Sequence, residues 1–378
     1  MRAALFLLML AAAPGGLVAQ SSQFGVRGLG YPGRHLATRS LASGGAFGLF
    51  DHESSLNPAA LAGAVTLTSV FTISQAFGSQ ENPSGTASTR NTRFPQLTVV
   101  GPVRQSRAAV GLNYSNYTNR DFTLTSSSTV ELRGVPVGIT DTLSARGGIS
   151  DLRLAGAYRL FERWTFGAAF HVITGSTRLE LRRSFDDSLY RPSIQRGEMS
   201  YAGVGVSAGL VAQLASRLAL ATMVRWDGHA NVDRDSIRVG TVDLPYSFGL
   251  GVHWQPSDQL GLSTQSILRT WSAANSDLIE QGGIGAENTI EVAVGAEYTP
   301  DPRQPSRRPI RVGARYRQLP FPLIAGSQGH EVGISAGSGI RFAQQRGGID
   351  LALEHVWRSE EVYSERAFIL SLGVSVRP

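Results

Sequence analysis

The chain has 378 residues, 43 of them glycine and none cysteine, with 35 basic against 29 acidic side chains for a formal net charge of +6. The missing cysteine removes disulfides, thiolate chemistry and lipid attachment through an N-terminal cysteine. The positive charge is all arginine, dispersed apart from the doublets Arg182-Arg183 and Arg307-Arg308, so no basic block marks a nucleic-acid partner.

The first element in chain order is an export signal. Arg2 supplies a charged n-region, residues 3–13 an apolar h-region and Leu17-Val18-Ala19 a small-residue cleavage site. That is the layout of a secretory signal peptide over 1–19, with the mature chain starting near Gln20. The apolar run is too short for a membrane anchor. Residues 39–63, RSLASGGAFGLFDHESSLNPAALAG, read as neither strand nor simple turn. Gly44 and Gly45 permit backbone conformations that a Cβ forbids. Phe47, Leu49 and Phe50 make a short apolar run, and Leu56-Asn57-Pro58-Ala59 carries a turn-forming Asn-Pro step. A compact, irregular, apolar-cored piece is predicted here.

From residue 64 onward the chain alternates apolar with small or polar residues. The runs lie near 64–77, 95–103, 107–118, 147–160, 163–180, 197–214, 217–232, 242–254, 259–270, 287–299, 309–318, 330–343, 347–357 and 365–376. In the last of them Phe368, Leu370, Leu372, Val374 and Val376 share one face, opposite Ser371, Gly373 and Ser375. Period two over runs of this length is the signature of a transmembrane antiparallel β-barrel, with lipid outside and a polar lumen. Connections alternate between tight turns, as at 104–106, 215–216, 256–258 and 344–346, and longer polar segments at 78–94, 119–146, 182–196, 233–241, 271–286 and 319–329. An even strand count places both termini on the periplasmic side, below the short turns. The Pro-rich stretch 299–308 is long for such a turn. A secreted β-sandwich also alternates, but its strands are usually shorter. Trp164, Trp226, Trp254, Trp271 and Trp357, with Tyr114, Tyr158, Tyr298 and Tyr363, sit near strand ends where an interfacial girdle belongs.

Projecting the alternation inward gives Arg153, Arg159, Arg225, Arg269, Arg311, Arg315, Arg317 and Arg341 against Asp227, Glu291, Glu297, Glu331, Asp350 and Glu354, with Gly, Ala and Ser between them. Two readings follow. Buried charges must be paired, so these are a salt-bridge lattice bracing the barrel; or they form a cationic path for a carboxylate-bearing ligand. The small residues leave space in the lumen for a plug. His171 and His253 also project inward, but no Gly-x-Ser-x-Gly occurs and no His pair has metal-ligand spacing. Neither an enzyme, a metal nor a cofactor is implied.

Residues 39–63 resemble the N-terminal hatch of the FadL-type outer-membrane transporters of long-chain fatty acids and other hydrophobic compounds, a group that includes the PorV-type barrels. Gly44, Gly45, Ala46 and Phe47 fall on that family's Gly-Gly-Ala-Phe, and Asn57, Pro58 and Ala59 on its Asn-Pro-Ala. Three positions depart from the pattern: Asp51-His52 stands for an acidic pair, Leu56 for an aromatic, and Ala60 for a glycine.

The resemblance implies an all-β barrel of about 14 strands holding a hatch in its lumen, divided as signal peptide 1–19, hatch 20–63 and barrel 64–378. It implies location in the bacterial outer membrane, contact with outer-membrane lipid, and passive uptake of a hydrophobic small-molecule ligand. Phe47, Leu49, Phe50 and Leu56 then either line a ligand pocket or pack the plug against the wall, while Asn57 and Pro58 hold its conformation. A wall gap beside the third strand is also implied, with Gly111 as its candidate. The family's third external loop carries helices, whereas 121–145 reads as a strand extension. The other reading is a PorV-like scaffold or shuttle that works with secretion proteins; a third is a plugged structural barrel.

Overall fold

The computed structural model describes residues 22–83, 85–301 and 308–378. The segment read as a signal peptide and most of the Pro-rich stretch 299–308 lie outside the described residues. Fourteen antiparallel staves form one sheet: β1 Thr68–Asn82, β2 Gly85–Pro102, β3 Ala108–Asn119 continued by Phe122–Leu132, β4 Val135–Phe161, β5 Trp164–Phe185, β6 Ser193–Ala215, and β7 Leu218–Trp226 continued by His229–Arg234. They go on as β8 Ile237–Asp243 with Tyr246–Trp254, β9 Leu260–Arg269, β10 Thr289–Tyr298, β11 Ile310–Gln318, β12 His330–Phe342, β13 Gly347–Glu360 and β14 Tyr363–Val376. β14 pairs with β1 from Ser364↔Glu81 to Val376↔Ser69, which closes the cylinder.

Closure pairs each stave with neighbours on both sides, except where the β2–β3 ladder stops at Gln96↔Ser115, and an unpaired backbone group at bilayer depth is costly. The pleat then sorts the side chains. On β10 the outward Val294 is 52% exposed, while its neighbours Ala293 and Glu291 are buried. On β4 the outward residues are apolar from Tyr158 back to Leu152 and then turn polar at Ser150, Arg146 and Ser144. β4, β5 and β6 have 27, 22 and 23 residues, against the 9–11 or so that cross a bilayer, so their long-loop ends project well beyond the apolar band.

Two expectations are corrected. Residues 78–94 are not a polar loop, because the β1–β2 ladder runs unbroken from Ser74↔Arg93 to Asn82↔Gly85; Thr, Ser and Arg suit a strand standing clear of lipid. Trp271 is not a girdle residue. It is 2% exposed and packs in an apolar cluster with Phe321, Leu278 and Tyr117, since the 270–288 connection folds back as Trp271–Ala274 and a short helix α1, Asn275–Glu280. Trp164, Trp226, Trp254 and Trp357 are exposed on the outer face.

The alternation makes a stability prediction. Val294→Arg should destabilise the barrel by about 2–4 kcal/mol in urea unfolding from lipid vesicles, whereas an unchanged midpoint would mean that this face does not meet hydrocarbon.

Candidate functional site

Residues 22–63 touch the inner faces of staves all around the cylinder. Their backbone is irregular, so its polar groups need side-chain partners, and the wall supplies them. Gln265 Oε1 accepts from Leu49 N at 3.1 Å, Ser263 Oγ donates to Ala46 O at 2.8 Å, Ser335 Oγ to Ala42 O at 3.1 Å and Thr98 Oγ1 to Glu53 O at 2.9 Å. Arg153, wholly buried, donates to Ser55 O. Within the segment Asp51 accepts from Ser40 and Ser54 and pairs with Arg39 at 3.4 Å. Asn57 Oδ1 caps the 3-10 turn Pro58–Gly63 through Ala59 N, and its Nδ2 donates to Leu49 O at 3.0 Å. Gly44 and Gly45 have φ of 70° and 102°, and a Cβ on Gly44 would press on the backbone of Ala314.

The candidate hatch residues separate by role. Leu49 and Leu56 are buried with Leu36 and Leu41 against Met223 and Ile267 of the wall. Phe47 and Phe50 are half-buried and flank His253, with ring centroids 5.4 and 5.7 Å away. Phe50 and Ala59 also border a cavity of about 360 Å³ at the short-turn end, beside Arg159 and Glu162.

The inward charges come together as pairs. Arg311 bridges Glu297 and Asp350, and Arg341 meets Asp350 at 2.7 Å. Arg269 meets Glu291 at 3.4 Å, and Arg225 lies between Asp151 and Asp227. Arg159, at the mouth, donates to Ala62 O at 3.1 Å. The densest group surrounds Glu331, which is 0% exposed. It receives Arg315 Nε at 3.1 Å, Arg317 Nε at 2.9 Å, Arg358 Nε at 2.6 Å and the hydroxyl of Tyr31. Arg315 also pairs with Glu354, which takes Arg34 Nη1 at 3.1 Å. Tyr31, Arg34, Asp151, Arg358 and Glu365 escaped the sequence reading: the first two precede the recognisable motif, and the others needed the strand register.

His171 is not an isolated polar residue. Its Nδ1 lies 2.9 Å from Asp151 and its Nε2 2.9 Å from Ser207 Oγ, the connectivity of a Ser-His-Asp triad assembled from three neighbouring staves, so no local motif signals it. All three side chains are buried, and Arg225 Nη1 clamps Asp151 at 2.7 Å. No cavity described here is lined by Ser207, His171 or Asp151, so the geometry offers the hydroxyl no substrate.

The wall is interrupted at one place in this neighbourhood. Residues 96–102 of β2 pair with 109–115 of β3, but 85–93 pair only with β1. Pro95 lacks an N–H and sits at the bulge where the register passes from Thr72↔Gln96 to Ser74↔Arg93. β3 has its own bulge at Tyr117, whose hydroxyl donates to Asp227 at 2.9 Å. The edge of β3 thus vacated is taken by the N-terminal segment, through Tyr31↔Asn119, Pro32↔Thr118 and Gly33 N to Tyr117 O at 2.8 Å. Behind this break lies a cavity of about 150 Å³, bordered by Asn91, Arg93 and Pro95 of β2, Asn116 of β3, and the Tyr31, Arg34 and Arg315 group. Gly111 does not mark the gap: it sits in paired strand with Leu61 against it.

Two tests follow from these contacts. Glu331→Ala should cost about 3–5 kcal/mol in urea unfolding, because buried guanidinium groups lose their carboxylate; a cost below about 1 kcal/mol would show that solvent reaches them. Burial holds His35 at a pKa of about 3, and burial with Arg39 nearby holds His52 at about 4. Both are neutral when docked and take up protons near pH 6.5 once released. Docking is therefore strongest above about pH 6.5 and weakens as pH falls toward these values. Protection factors in 35–55, which allow for the slower intrinsic exchange in acid, should fall between about pH 7 and 5, and the double change His35→Gln, His52→Gln should flatten that response.

A family model, BamG, matches residues 2–238. No curated protein sequence matches. Among solved structures, the chain resembles a Pseudomonas aeruginosa FadL homologue at a TM-score of 0.63 and 14% identity, covering 92% of this chain and 99% of that one. It resembles the Pseudomonas putida toluene transporter TodX at 0.57 and 14%, covering 92% and 99%, and the CymD monoaromatic hydrocarbon channel at 0.56 and 16%, covering 93% and 99%. At these identities the likeness is one of fold. With a family model spanning more than half its length, the chain belongs to the BamG family, and its barrel has the fold of the FadL-type channels.

Proposed function

We propose that this protein is a passive outer-membrane channel for amphipathic small molecules of the long-chain fatty-acid type, with residues 20–63 as its hatch. The observation that carries the reading is the 150 Å³ cavity that lies beside the break between β2 and β3. The axis itself is blocked, because Leu36, Leu41, Leu49 and Leu56 pack across it against Met223 and Ile267. The cavity at the short-turn end lies on the other side of that packing. Passage between the two needs the hatch to populate a second arrangement that the cargo favours.

The lining also selects the cargo. Arg34, Arg315, Arg317 and Arg358 border the lateral cavity already paired with carboxylates, two of which, Glu354 and Glu365, share the lining; Arg93, whose Nε has no hydrogen-bond partner, stands beside apolar Ala76, Leu41 and Ile369. A pure hydrocarbon gains nothing from guanidinium groups, whereas a carboxylate on an apolar tail uses both surfaces. The related structures whose names specify toluene or monoaromatic hydrocarbons carry those cargoes themselves; the unpartnered Nε of Arg93 here favours a cargo with an anionic head.

The absence of native cysteine makes the break testable. Arg93 Nη2 donates to Asn119 Oδ1 at 3.0 Å across it. The double variant Arg93→Cys, Asn119→Cys, bridged by a short bis-methanethiosulfonate that forms a disulfide with each thiol by displacing sulfinate, should lose uptake of a labelled long-chain fatty acid in whole cells and regain it on reduction. Undiminished uptake in the bridged protein would remove this break from the route.

A further inference from the structure

We propose that the short-turn rim of the barrel is a docking surface for anionic phospholipid, gathering phosphate-bearing headgroups of the periplasmic leaflet around its circumference. The surface is separate from the lumenal cavities and would serve a channel and a scaffold alike.

Six connections join the staves at this end, and five of them carry exposed arginine among the described residues. Arg104 and Arg107 stand between β2 and β3, Arg163 between β4 and β5, Arg217 between β6 and β7, Arg308 before β11 and Arg346 between β12 and β13. Among the described residues the same connections hold only Glu162, Asp258 and Asp301 as acidic side chains. Arg217 meets Asp258 at 3.2 Å. Arg104, Arg107, Arg163 and Arg346 have no carboxylate at ion-pair distance among the described residues. The opposite end differs: there Arg183 meets Asp141 at 2.7 Å and Arg196 meets Glu180 at 2.8 Å. The short-turn rim therefore carries an uncompensated positive field.

The level of these arginines says what answers that field. They adjoin the lower edge of the lipid-facing band, where Val103, Phe161, Trp164, Leu214 and Phe342 are exposed on neighbouring positions. An arginine at that depth lays its methylenes along apolar surface and holds its guanidinium among the headgroups. The planar guanidinium fork fits phosphate oxygens, and basic side chains beside a bilayer attract anionic lipid. Their spacing points the same way. The charges run from the β2–β3 turn to the β12–β13 turn instead of gathering on one side of the mouth. A lipid leaflet meets the whole ring at once, whereas an acidic polypeptide needs a patch.

The test uses the full-length protein in phosphatidylcholine vesicles that carry a fixed fraction of brominated lipid, either phosphatidylglycerol or phosphatidylcholine. Bromine quenches tryptophan on close approach, so each exposed tryptophan reports the lipid at its own level. Trp164 opens β5 at the short-turn end, and Trp226 lies toward the long-loop end of β7; the fluorescence lost in Trp164→Phe and in Trp226→Phe isolates the two signals. The Trp164 signal should show at least about threefold enrichment of phosphatidylglycerol over phosphatidylcholine, falling toward parity in about 1 M salt. The Trp226 signal should show none. The variant Arg104→Gln, Arg163→Gln, Arg217→Gln, Arg346→Gln, whose changes all lie in exposed turns outside the ladders, should lose the preference at Trp164 and keep ordinary quenching. If that variant fails to insert, the salt series and the Trp226 comparison on the native protein decide the outcome. Equal quenching of Trp164 by the two lipids, or a preference that the variant retains, overturns the proposal. So does saturable binding of a polyglutamate peptide to a rim that shows no lipid preference, which would assign these arginines to a protein partner.

Discussion

Glu331 and the groups converging on it tie the lumen together. Three guanidinium groups and a phenol meet one carboxylate that water does not reach. Three of those groups come from the wall, while Tyr31 comes from the N-terminal segment and is stacked between Arg317 and Arg358, each 4.8 Å from its ring. A buried ion is tolerable only when its partners are all in place. The barrel and the segment inside it are therefore electrostatically incomplete without one another, and the inserted chain is part of the wall's own satisfaction of charge.

The same requirement acts on backbone. Irregular chain survives at membrane depth only where protein, not lipid, surrounds it. Here serine, threonine, glutamine and arginine side chains of β2, β4, β9 and β12 answer the carbonyls and amides of residues 42–55. This is why so many inward positions are small and polar: they are hydrogen-bonding partners for a filling. The lumen has little empty space as a result, and what remains lies on either side of the packed leucines.

The break between β2 and β3 follows from two local rules applied at one level of the wall. Pro95 cannot donate to a ladder, and Tyr117 turns inward to reach Asp227, so each stave bulges and the pair separates. The separation lies beside a charged cavity. Tyr31–Pro32 covers the part of the edge at Thr118 and Asn119.

The barrel was legible in the sequence because period-two alternation is a local property that lipid on one side enforces residue by residue. All fourteen runs appear as staves, and Phe368, Val374, Val294 and their like face outward as the pattern requires. The alternation also placed Arg311, Arg315, Arg317 and Glu331 on the inner face. It did not say which guanidinium would meet which carboxylate, nor that Tyr31 would join them, because those contacts join residues up to about three hundred positions apart, and register decides them. Residues 78–94 were misread since a strand in water on both faces loses the alternation that betrays it. Pro95 was visible, but its effect on the wall depended on what β3 did opposite. By itself, then, the sequence determined which side of each strand meets hydrocarbon; the closed cylinder decided who pairs across the lumen, how the His171 network assembles from three staves, and where the wall opens, because each depends on the positions of neighbours that the chain brings together only when it closes.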